Sequence, residues 1–379
     1  MAVVLHEAPQ RVGLAQMALM APSTLLLLLG GAIADRSDCR ALLIRFHLLA
    51  MIPPLGLAAL IAAGATGYGV LLAYGVAVGA LGAFVTPARD ALLSRIGHPD
   101  LGRAIAVATA TQFMCQLVGI ALAGAAGRVG APLLLVLQAM LVGAGAITTR
   151  RLAPAPPTGR ITGERRRDAM RDGLREVWRS AVILPVVVAI AAVGTLYVGA
   201  FVVIIPLLVR DAYHGGSAGL ATLSACFWGG TIAATLVQVR LGSIQRAGRA
   251  VMVALALGAG VLAAMALDLP FALLALLCLL WGIGGGVTMT QGRTMVQLAA
   301  TDSHRARIMA VFQLGLFGGA PVGALAMGYL AAAVGARPAV LFPALAMLIV
   351  LAGLRLRSGL WQQESMPQPV AAVPAPART

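Results

Sequence analysis

Long uncharged, apolar stretches recur along the whole of this 379-residue chain. Residues 12–34 and 131–149, for example, contain no Asp, Glu, Lys or Arg. A helix of about 20 such residues is long enough to cross the hydrocarbon core of a bilayer. Hydrophobic residues make up 60% of the chain and charged residues only 11%, whereas a soluble domain carries about 25% charged residues. The sequence therefore predicts an all-α polytopic membrane protein.

Eleven stretches are long enough to be membrane spans, five before and six after a long polar segment. A proline pair, Pro53-Pro54, interrupts the second stretch, and we expect it to kink that helix because proline lacks a backbone N–H. The predicted spans are residues 12–34, 41–63, 68–86, 104–127, 131–149, 182–209, 218–239, 250–267, 271–290, 308–334 and 339–354.

The spans divide the chain into two predicted helix bundles. Residues 1–149 form the N-terminal bundle and residues 181–357 the C-terminal bundle, and a polar linker at 150–180 joins them. Within the linker, Met170, Leu174 and either Val177 or Trp178 share one face of a basic helix. This pattern is typical of a helix that lies on an anionic membrane surface. Residues 358–379 are rich in Pro, Ala and Gln, and we expect them to be disordered.

The basic residues are distributed unevenly between the two sets of gaps that separate the spans. All 28 are arginine, and 24 of them lie in the gaps that contain Arg36, the linker and the C-terminus. Because Arg-rich loops stay in the cytoplasm, we expect a multi-pass protein of the plasma (inner) membrane with these gaps and the C-terminus cytoplasmic. The net charge of +15 then reflects topology, and no nucleic-acid partner is expected. The four exceptions are Arg11, Arg128, Arg210 and Arg337.

The sequence lacks the residue patterns of membrane enzymes and of ATP-driven pumps. Its four cysteines lie far apart, and it contains no HExxH, GxSxG or Walker A pattern. Asp35 and Asp38 are spaced like a diphosphate-binding pair, but no second acidic cluster accompanies them to hold Mg²⁺. We therefore expect no metal, no cofactor and no enzymatic activity, and an intramembrane enzyme is the less favoured alternative.

Four charged or glycine-rich motifs lie at the ends of the spans. They follow the first span, follow the third span, end the linker and begin the tenth span. In order, the four read GAIADRSDCR at 31–40, FVTPARDALL at 84–93, RDGLREVWR at 171–179, and RARIMAVFQ at 305–313 running into GGAPVG at 318–323. The first of them, in the hairpin, resembles the signature between the second and third helices of the major facilitator superfamily. The order and spacing of all four resemble the branch of siderophore and macrolide exporters within that superfamily.

The resemblance implies a major-facilitator-like fold of two helix bundles and a secondary active transporter. Its branch exports small amphipathic molecules, such as drugs or siderophores, by alternating access; we expect proton coupling and a monomer. Residues 12–34 align with the family's second helix, so the first helix is missing and the arrangement is 5 + 6. Either the start site is placed too far downstream, or the gene is truncated and the protein is a transport-inactive or regulatory membrane protein.

The resemblance also implies a conformational latch at the hairpin. An acid at a membrane exit needs hydrogen-bond donors, and we expect Asp35 to pair with Arg89 or with the helix start flanked by Arg305 and Arg307. By family analogy, these contacts hold the cytoplasmic ends of the bundles together in the outward-open state. The alternative is that the charged residues only anchor the topology. The predicted latch comprises Gly31, Asp35, Arg36, Arg40, Arg89, Arg305 and Arg307.

Polar residues inside the spans are candidates for the substrate cavity, and the alternative for each is a hydrogen bond between helices. No Asp or Glu lies in the middle of a span, so a coupling proton would bind the missing helix, Asp35, Asp90 or His47. The cavity candidates are Gln16, Gln112, Gln116, Ser224, Gln291 and Gln313. The predicted packing or hinge residues are Gly119, Gly318, Gly319, Pro321 and Gly323.

Overall fold

Helices form nearly all of the part of the chain that a computed structural model describes. That part comprises residues 7–96, 101–154, 175–241, 244–300 and 305–363, and it contains no β-strand. Short helical pieces at Ala126–Val129 and Leu360–Gln362 accompany the long helices. In chain order the long helices are α1 Pro9–Arg36, α2 Cys39–Ala62, α3 Tyr68–Ile96, α4 Leu101–Gly124, α5 Ala131–Arg150, α6 Ile183–Asp211, α7 Ser217–Leu241, α8 Ala247–Met265, α9 Phe271–Ala299, α10 Arg305–Val334 and α11 Ala336–Arg357.

Nine helices in these ranges are long and apolar enough to cross a membrane. They are α2, α3 and α5 to α11. In α4 the apolar part that is described, Thr111–Gly124, is shorter than a span. A multi-pass, all-helical membrane protein is therefore confirmed, whereas the count of eleven spans and their division into five and six stay predictions.

Proline determines the shape of α2. The helix is interrupted at Met51, between the pieces Cys39–Ala50 and Ile52–Ala62. Pro53 and Pro54 follow this break, and neither can donate a backbone hydrogen bond to the preceding turn. The interruption predicted from the proline pair is therefore present.

Two helices continue by more than two turns beyond the ends predicted from apolar content. α3 runs to Ile96 and α9 to Ala299, past the predicted ends at residues 86 and 290. Their extra turns carry the exposed Arg89 and Arg293. Apolar content marks where a helix leaves the hydrocarbon, but the helix itself continues for as long as its backbone hydrogen bonds can form.

The described end of the linker packs onto the bundle that follows it. Residues 175–179 are helical. Val177 is 2% exposed and belongs to an apolar core formed mostly by residues of α6–α11, whereas Trp178 is 67% exposed. Of the two residues considered for the apolar face, Val177 therefore occupies it. Met170 and Leu174 lie outside the described residues, as does the tail from 364 onward.

We call α1–α5 the first half and α6–α11 the second half, and contacts between them run along two lines. α1 lies against α3 of its own half and α10 of the other, and α4 packs against α7. In the second half α9 packs against both α7 and α8, and α6 lies along α10. The larger apolar core lies mostly in this second half and includes Val12 of α1. A smaller core lies beneath the hairpin, formed by Ala34, Cys39, Leu42, Leu43, Ala88 and Leu92.

Within the first half, α1 and α3 touch backbone to backbone. A Cβ added at Gly79 would collide with the carbonyl oxygen of Leu19, and one added at Gly30 would collide with that of Ala83. Helices in lipid are held by close packing and not by a hydrophobic driving force, so glycine at both positions brings the two helices into attractive contact. Because Gly30 lies close to the end of α1, its contact also fixes the position of the hairpin.

We expect Gly79→Val to destabilise the protein, because α3 offers the new side chain no space against α1. Overpacking of this kind costs about 1–3 kcal/mol. Thermal unfolding of the purified protein in detergent, followed by circular dichroism, measures the effect as a lower Tm. Gly82→Val is the matched control: it makes the same change in the same helix, and an added Cβ at Gly82 meets no described atom within 4 Å. Equal Tm values for the two variants would contradict the close contact.

Candidate functional site between the two halves

A helix end and a helix cap build the hairpin. α1 ends at Arg36 and Ser37 is extended. The Asp38 carboxylate then caps α2 by accepting a hydrogen bond from the backbone N–H of Arg40 at 3.0 Å. The guanidinium of Arg40 donates to the backbone carbonyl of Arg150, in the last turn of α5. Because the last carbonyls of a helix lack partners within it, this bond ties the hairpin to the start of the linker.

Arg89, a second predicted latch residue, pairs with its neighbour in the sequence. Its guanidinium lies 3.0 Å from the carboxylate of Asp90, and both side chains are exposed near the end of α3. At the end of α1, Arg36 is also exposed, and Gly31 is half-buried. In this conformation the Arg89 pair is therefore solvated on the surface of the first half.

The contact that the latch would make between the halves stays a prediction. The side chains of Asp35, Arg305 and Arg307 lie outside the part that the structure describes. The contacts described for Arg40 and Arg89 both lie inside the first half. The structure thus shows how the hairpin is attached to its own half.

At the other end of the spans, where α1 begins, the two halves touch directly. We call this end the opposite side, and the end that carries the hairpin the hairpin side. Gly13 of α1 packs so closely against α10 that an added Cβ would lie 2.7 Å from the carbonyl oxygen of Ala324. Along the second line of contact, the Ser217 hydroxyl of α7 donates to the carbonyl of Gly124 of α4 at 3.2 Å.

These contacts continue inward to the middle of the helices. A Cβ added at Gly124 would lie 2.7 Å from the Cβ of Ala221, so α4 and α7 meet through small residues. Thr24, near the middle of α1, donates to the carbonyl of Phe317 in α10 at 3.0 Å. The close contacts between the halves that the structure describes therefore run from the opposite side to about mid-span.

A polar cluster, which we call the clasp, joins the halves on the opposite side. It consists of Glu7, Arg11, Tyr68, Arg210 and Asp211. Arg210, whose side chain is 12% exposed, binds the Asp211 carboxylate and donates from Nη1 to the backbone carbonyl of Glu7 at 2.6 Å. The Glu7 carboxylate binds Arg11 at 3.0 Å. The Tyr68 hydroxyl donates to the Arg11 carbonyl at 2.7 Å, and the Arg11 guanidinium lies 5.3 Å from the centroid of the Tyr68 ring.

Loops of the second half are tied together on the same side. Arg337 pairs with Asp268, and the Tyr213 hydroxyl donates to the carbonyl of Leu269 at 2.7 Å. The Tyr213 ring also packs edge-on against Phe271. Burial raises the pKa of the Tyr213 phenol, so the hydroxyl remains a hydrogen-bond donor at neutral pH.

The sequence did not lead us to the clasp or to the Arg337 pair, since Arg11, Arg210 and Arg337 were considered only as exceptions to the arginine distribution. In the structure each of the three pairs with an acid. The sequence does contain a signal: an acid lies four residues before Arg11, and another directly follows Arg210. Oppositely charged residues at a spacing of four face each other on a helix.

Most of the predicted cavity residues are at least partly accessible. Gln112 and Gln116 lie one turn apart on α4, and both are exposed. Gln16 on α1, Ser224 on α7 and Gln313 on α10 are half-buried. These five residues come from helices that form the two lines of contact between the halves. Whether they line a substrate cavity stays a prediction.

Gln291 occupies a different environment from the other candidates. It is 4% exposed, and its amide donates to the side-chain oxygen of Gln238 at 2.7 Å, which ties α9 to α7. Gln238 in turn donates to the carbonyl of Ala234 at 3.1 Å. Thr231 makes a second tie, because its hydroxyl donates to the carbonyl of Gly282 at 3.0 Å. Gln291 therefore makes the hydrogen bond between helices that was the alternative for each candidate.

Two of the predicted packing residues, Gly319 and Gly323, bring α10 against α6. A Cβ added at either glycine would collide with Thr195 of α6: at Gly323 with its carbonyl oxygen and at Gly319 with its hydroxyl. Pro321 lies between them and is buried in α10. This stretch is a close contact inside the second half.

Gly119 and Gly318 differ from that pair. An added Cβ at Gly119 meets no described atom within 4 Å, and one at Gly318 meets Leu314 of its own helix. Neither position brings two helices together in this conformation, among the residues that the structure describes. Their predicted role as hinges is untested.

The middle of α6 is π-helical, at Val193–Val198 and Ala200–Ile204. Its close contact with α10 lies in this region: a Cβ added at Gly194 would collide with the carbonyl oxygen of Leu316. π-Helical turns are rare and occur often at functional sites. No pattern in the sequence predicted them, because they depend on how the backbone of α6 adapts to α10.

Several solved structures of membrane transporters have the same fold. The nucleoside transporter NupG matches with a TM-score of 0.70 and 13% identity, over 94% of this chain and 92% of its own. A bacterial homologue of the human lysosomal transporter Spinster, inward-facing and occupied, matches with a TM-score of 0.71 and 16% identity, over 93% and 89%. A POT family transporter in complex with 5-aminolevulinic acid matches with a TM-score of 0.74 and 11% identity, over 96% and 91%.

Sequence comparison identifies the family. A search of curated proteins finds no match. The family described as transmembrane secretion effector, within the major facilitator superfamily, matches residues 1–377. This family and the structural neighbours are transporters and not enzymes. The siderophore and macrolide branch and the missing first helix stay predictions. The chain is a membrane transporter and belongs to the transmembrane secretion effector family of the major facilitator superfamily.

Proposed function

We propose that this transporter exports a small amphipathic molecule from the cytoplasm by alternating access, as a monomer and in exchange for protons. The observation that carries the proposal is the closed contact between the halves on the opposite side, from Gly13 and Ser217 to mid-span. A transporter that alternates must close one side while the other is accessible.

The arginine distribution supports an orientation with the hairpin side in the cytoplasm. Of the 28 arginines, 24 lie in gaps on that side, and Arg-rich loops close to spans are retained in the cytoplasm. The C-terminus is then cytoplasmic, and the clasp faces outward across the plasma membrane. In this proposed orientation, the side closed by the described contacts is the outer one, as an inward-facing transporter requires.

The accessible polar residues support a path between α4 and α7. An amide in contact with hydrocarbon is costly, so the exposed face of Gln112 and Gln116 is better placed toward water than toward lipid. On α7, Ser224 and Trp228 follow the contact residue Ala221 by three and seven residues and share its face. These four side chains supply amides, a hydroxyl and an indole and carry no charge, which suits an amphipathic molecule that is uncharged or weakly charged.

The hairpin provides the complementary closure on the inner side. When the outer side opens, we propose that Asp35 and Arg89 meet the start of α10, which is flanked by Arg305 and Arg307. Arg89 would exchange its solvated pair with Asp90 for a contact with the other half. The attachment of the hairpin to α5 would keep it in place while the halves rotate.

We propose that the coupling proton binds a carboxylate at the hairpin side, either Asp35 or Asp90. Protonation of Asp90 would release its pair with Arg89 and make that guanidinium available to the other half. His47 is placed less well for this role. Its imidazole packs toward Gly145, between α2 and α5 of the first half, and away from the two lines of contact with the second half.

Expression of the chain in cells that lack their main efflux pumps should lower the accumulation of at least one amphipathic compound. Asp35→Asn should abolish this effect, because an amide cannot supply the negative charge that the latch requires. The measurement is the initial efflux rate of preloaded fluorescent compounds, across a panel that differs in charge and size.

Asp268→Asn is the matched control for the efflux experiment. It makes the same chemical change on the opposite side, at an exposed residue that pairs with Arg337. With equal amounts of protein in the membrane, this variant should retain the wild-type efflux rate. The export proposal fails if the wild-type chain changes the accumulation of no compound and Asp35→Asn has no effect.

Arg210→Gln should favour opening on the opposite side, because it removes the charge-assisted bond to the Glu7 carbonyl. Such a bond contributes roughly 1.5–3 kcal/mol, and about 1.4 kcal/mol is a tenfold change in an equilibrium. The measurement uses a background in which the native cysteines are replaced by serine and Ala221 by cysteine, with and without Arg210→Gln. The labelling rate of this cysteine with a membrane-impermeant maleimide, added from outside, should rise about tenfold or more.

Arg337→Gln is the control for the clasp, because this arginine lies on the same side but pairs within its own half. It should leave the labelling rate of the cysteine at position 221 unchanged. A rise of the same size in both variants, or no rise in Arg210→Gln, would show that the clasp does not hold the halves together.

A further inference from the structure

The segment after α11 folds back onto the second half at the hairpin side. Leu360 is completely buried, and its carbonyl oxygen lies so close to Gly248 that an added Cβ there would collide with it. The Gly248 N–H donates to the carbonyl of Gln363 at 3.3 Å, and the side-chain amide of Gln363 donates to the carbonyl of Ala181 at 3.3 Å. The turn Leu360–Gln362 is thus fixed between the starts of α6 and α8.

Within this turn, Trp361 holds two arginines on one indole ring. The guanidinium carbon of Arg249, in the first turn of α8, lies 4.9 Å from the ring centroid. That of Arg355, in the last turn of α11, lies 4.5 Å from the same centroid. Because both guanidinium groups lie against the same ring, their positive charges are close to each other. Cation–π attraction to the half-buried indole keeps them together against their mutual repulsion.

These two charges have no carboxylate partner in the described part of the chain. The first turn of α8 contains no acidic residue. Two more exposed arginines flank the pair, Arg246 before α8 and Arg357 at the end of α11. The arginines of the clasp differ in this respect, since each of them pairs with an acid. A fixed pair of cations without a counter-charge is suited to bind an anion.

We propose that Arg249, Arg355 and Trp361 bind the phosphate of an anionic phospholipid headgroup. Guanidinium groups match phosphate through two parallel hydrogen bonds. The site lies where two spans end, which is the depth of the headgroups, and tryptophan is enriched at that interface. Basic pockets between helices on the Arg-rich side of a membrane protein bind such lipids. The site is independent of what the protein transports.

The test compares phosphatidylglycerol with phosphatidylcholine of the same acyl chains. Purified full-length protein in detergent is titrated with each lipid, and native mass spectrometry and thermal unfolding give apparent affinities. The wild type should prefer phosphatidylglycerol. The double variant R249Q/R355Q should lose this preference, by roughly fivefold for each arginine removed. Trp361→Leu should also reduce it, because both charges remain but the ring that holds them together is gone.

R240Q/R293Q is the matched control, because it removes two exposed arginines from the same side of the same half. It should keep the preference for phosphatidylglycerol. Since the readout is the ratio of two affinities within each variant, a general loss of stability does not imitate the result. If R249Q/R355Q does not fold, the single variants R249Q and R355Q give the same comparison.

Three results would overturn the proposal. The first is a wild-type protein that binds both lipids equally. The second is an equal loss of preference in R249Q/R355Q and R240Q/R293Q, which would assign the effect to surface charge in general. The third is stabilisation by inorganic phosphate as large as that by phosphatidylglycerol, which would make this a site for a free anion and not for a lipid.

Discussion

Direct contact between helix backbones holds this transporter together. In lipid, apolar side chains gain little by leaving the acyl chains for another helix. Attraction must therefore come from close approach, which Gly79 allows between α1 and α3, and Gly323 between α6 and α10. The same kind of contact closes the opposite side through Gly13. A surface of small residues has few interlocking side chains, so it can join the halves tightly and still separate without repacking.

The parts of the fold that follow from the thickness of the bilayer could be predicted from the sequence. The thickness of the hydrocarbon core determines the length of the spans, and the proline pair determines the break in α2. Both features can therefore be predicted from residue types alone. The family could be recognised because its hairpin motif at 31–40 keeps charged residues at fixed spacing. Each of these features is local in the chain.

The features that could not be predicted depend on which helix lies next to which. Gln291 and Gln116 are both glutamines in apolar spans, but one meets Gln238 and is buried, whereas the other is exposed. Arg40 was expected to contribute to a contact between the halves, and its described contact is a carbonyl of α5. The π-helical turns of α6 arise where its backbone meets α10. In each case the neighbour decides the role, and a single sequence does not specify the neighbour.

The pairing of the clasp arginines determines which bonds hold the opposite side closed. Burying an unpaired charge would cost several kcal/mol, so closure needs arginines that are already neutralised. Arg11 forms an ion pair with Glu7 of its own half, and Arg210 forms one with Asp211 of its own half. Among the described residues, a charge-assisted hydrogen bond from Arg210 to the Glu7 carbonyl crosses between the halves. The described ion pairs of the clasp each lie within one half, so separating the halves breaks this hydrogen bond and leaves those two pairs intact.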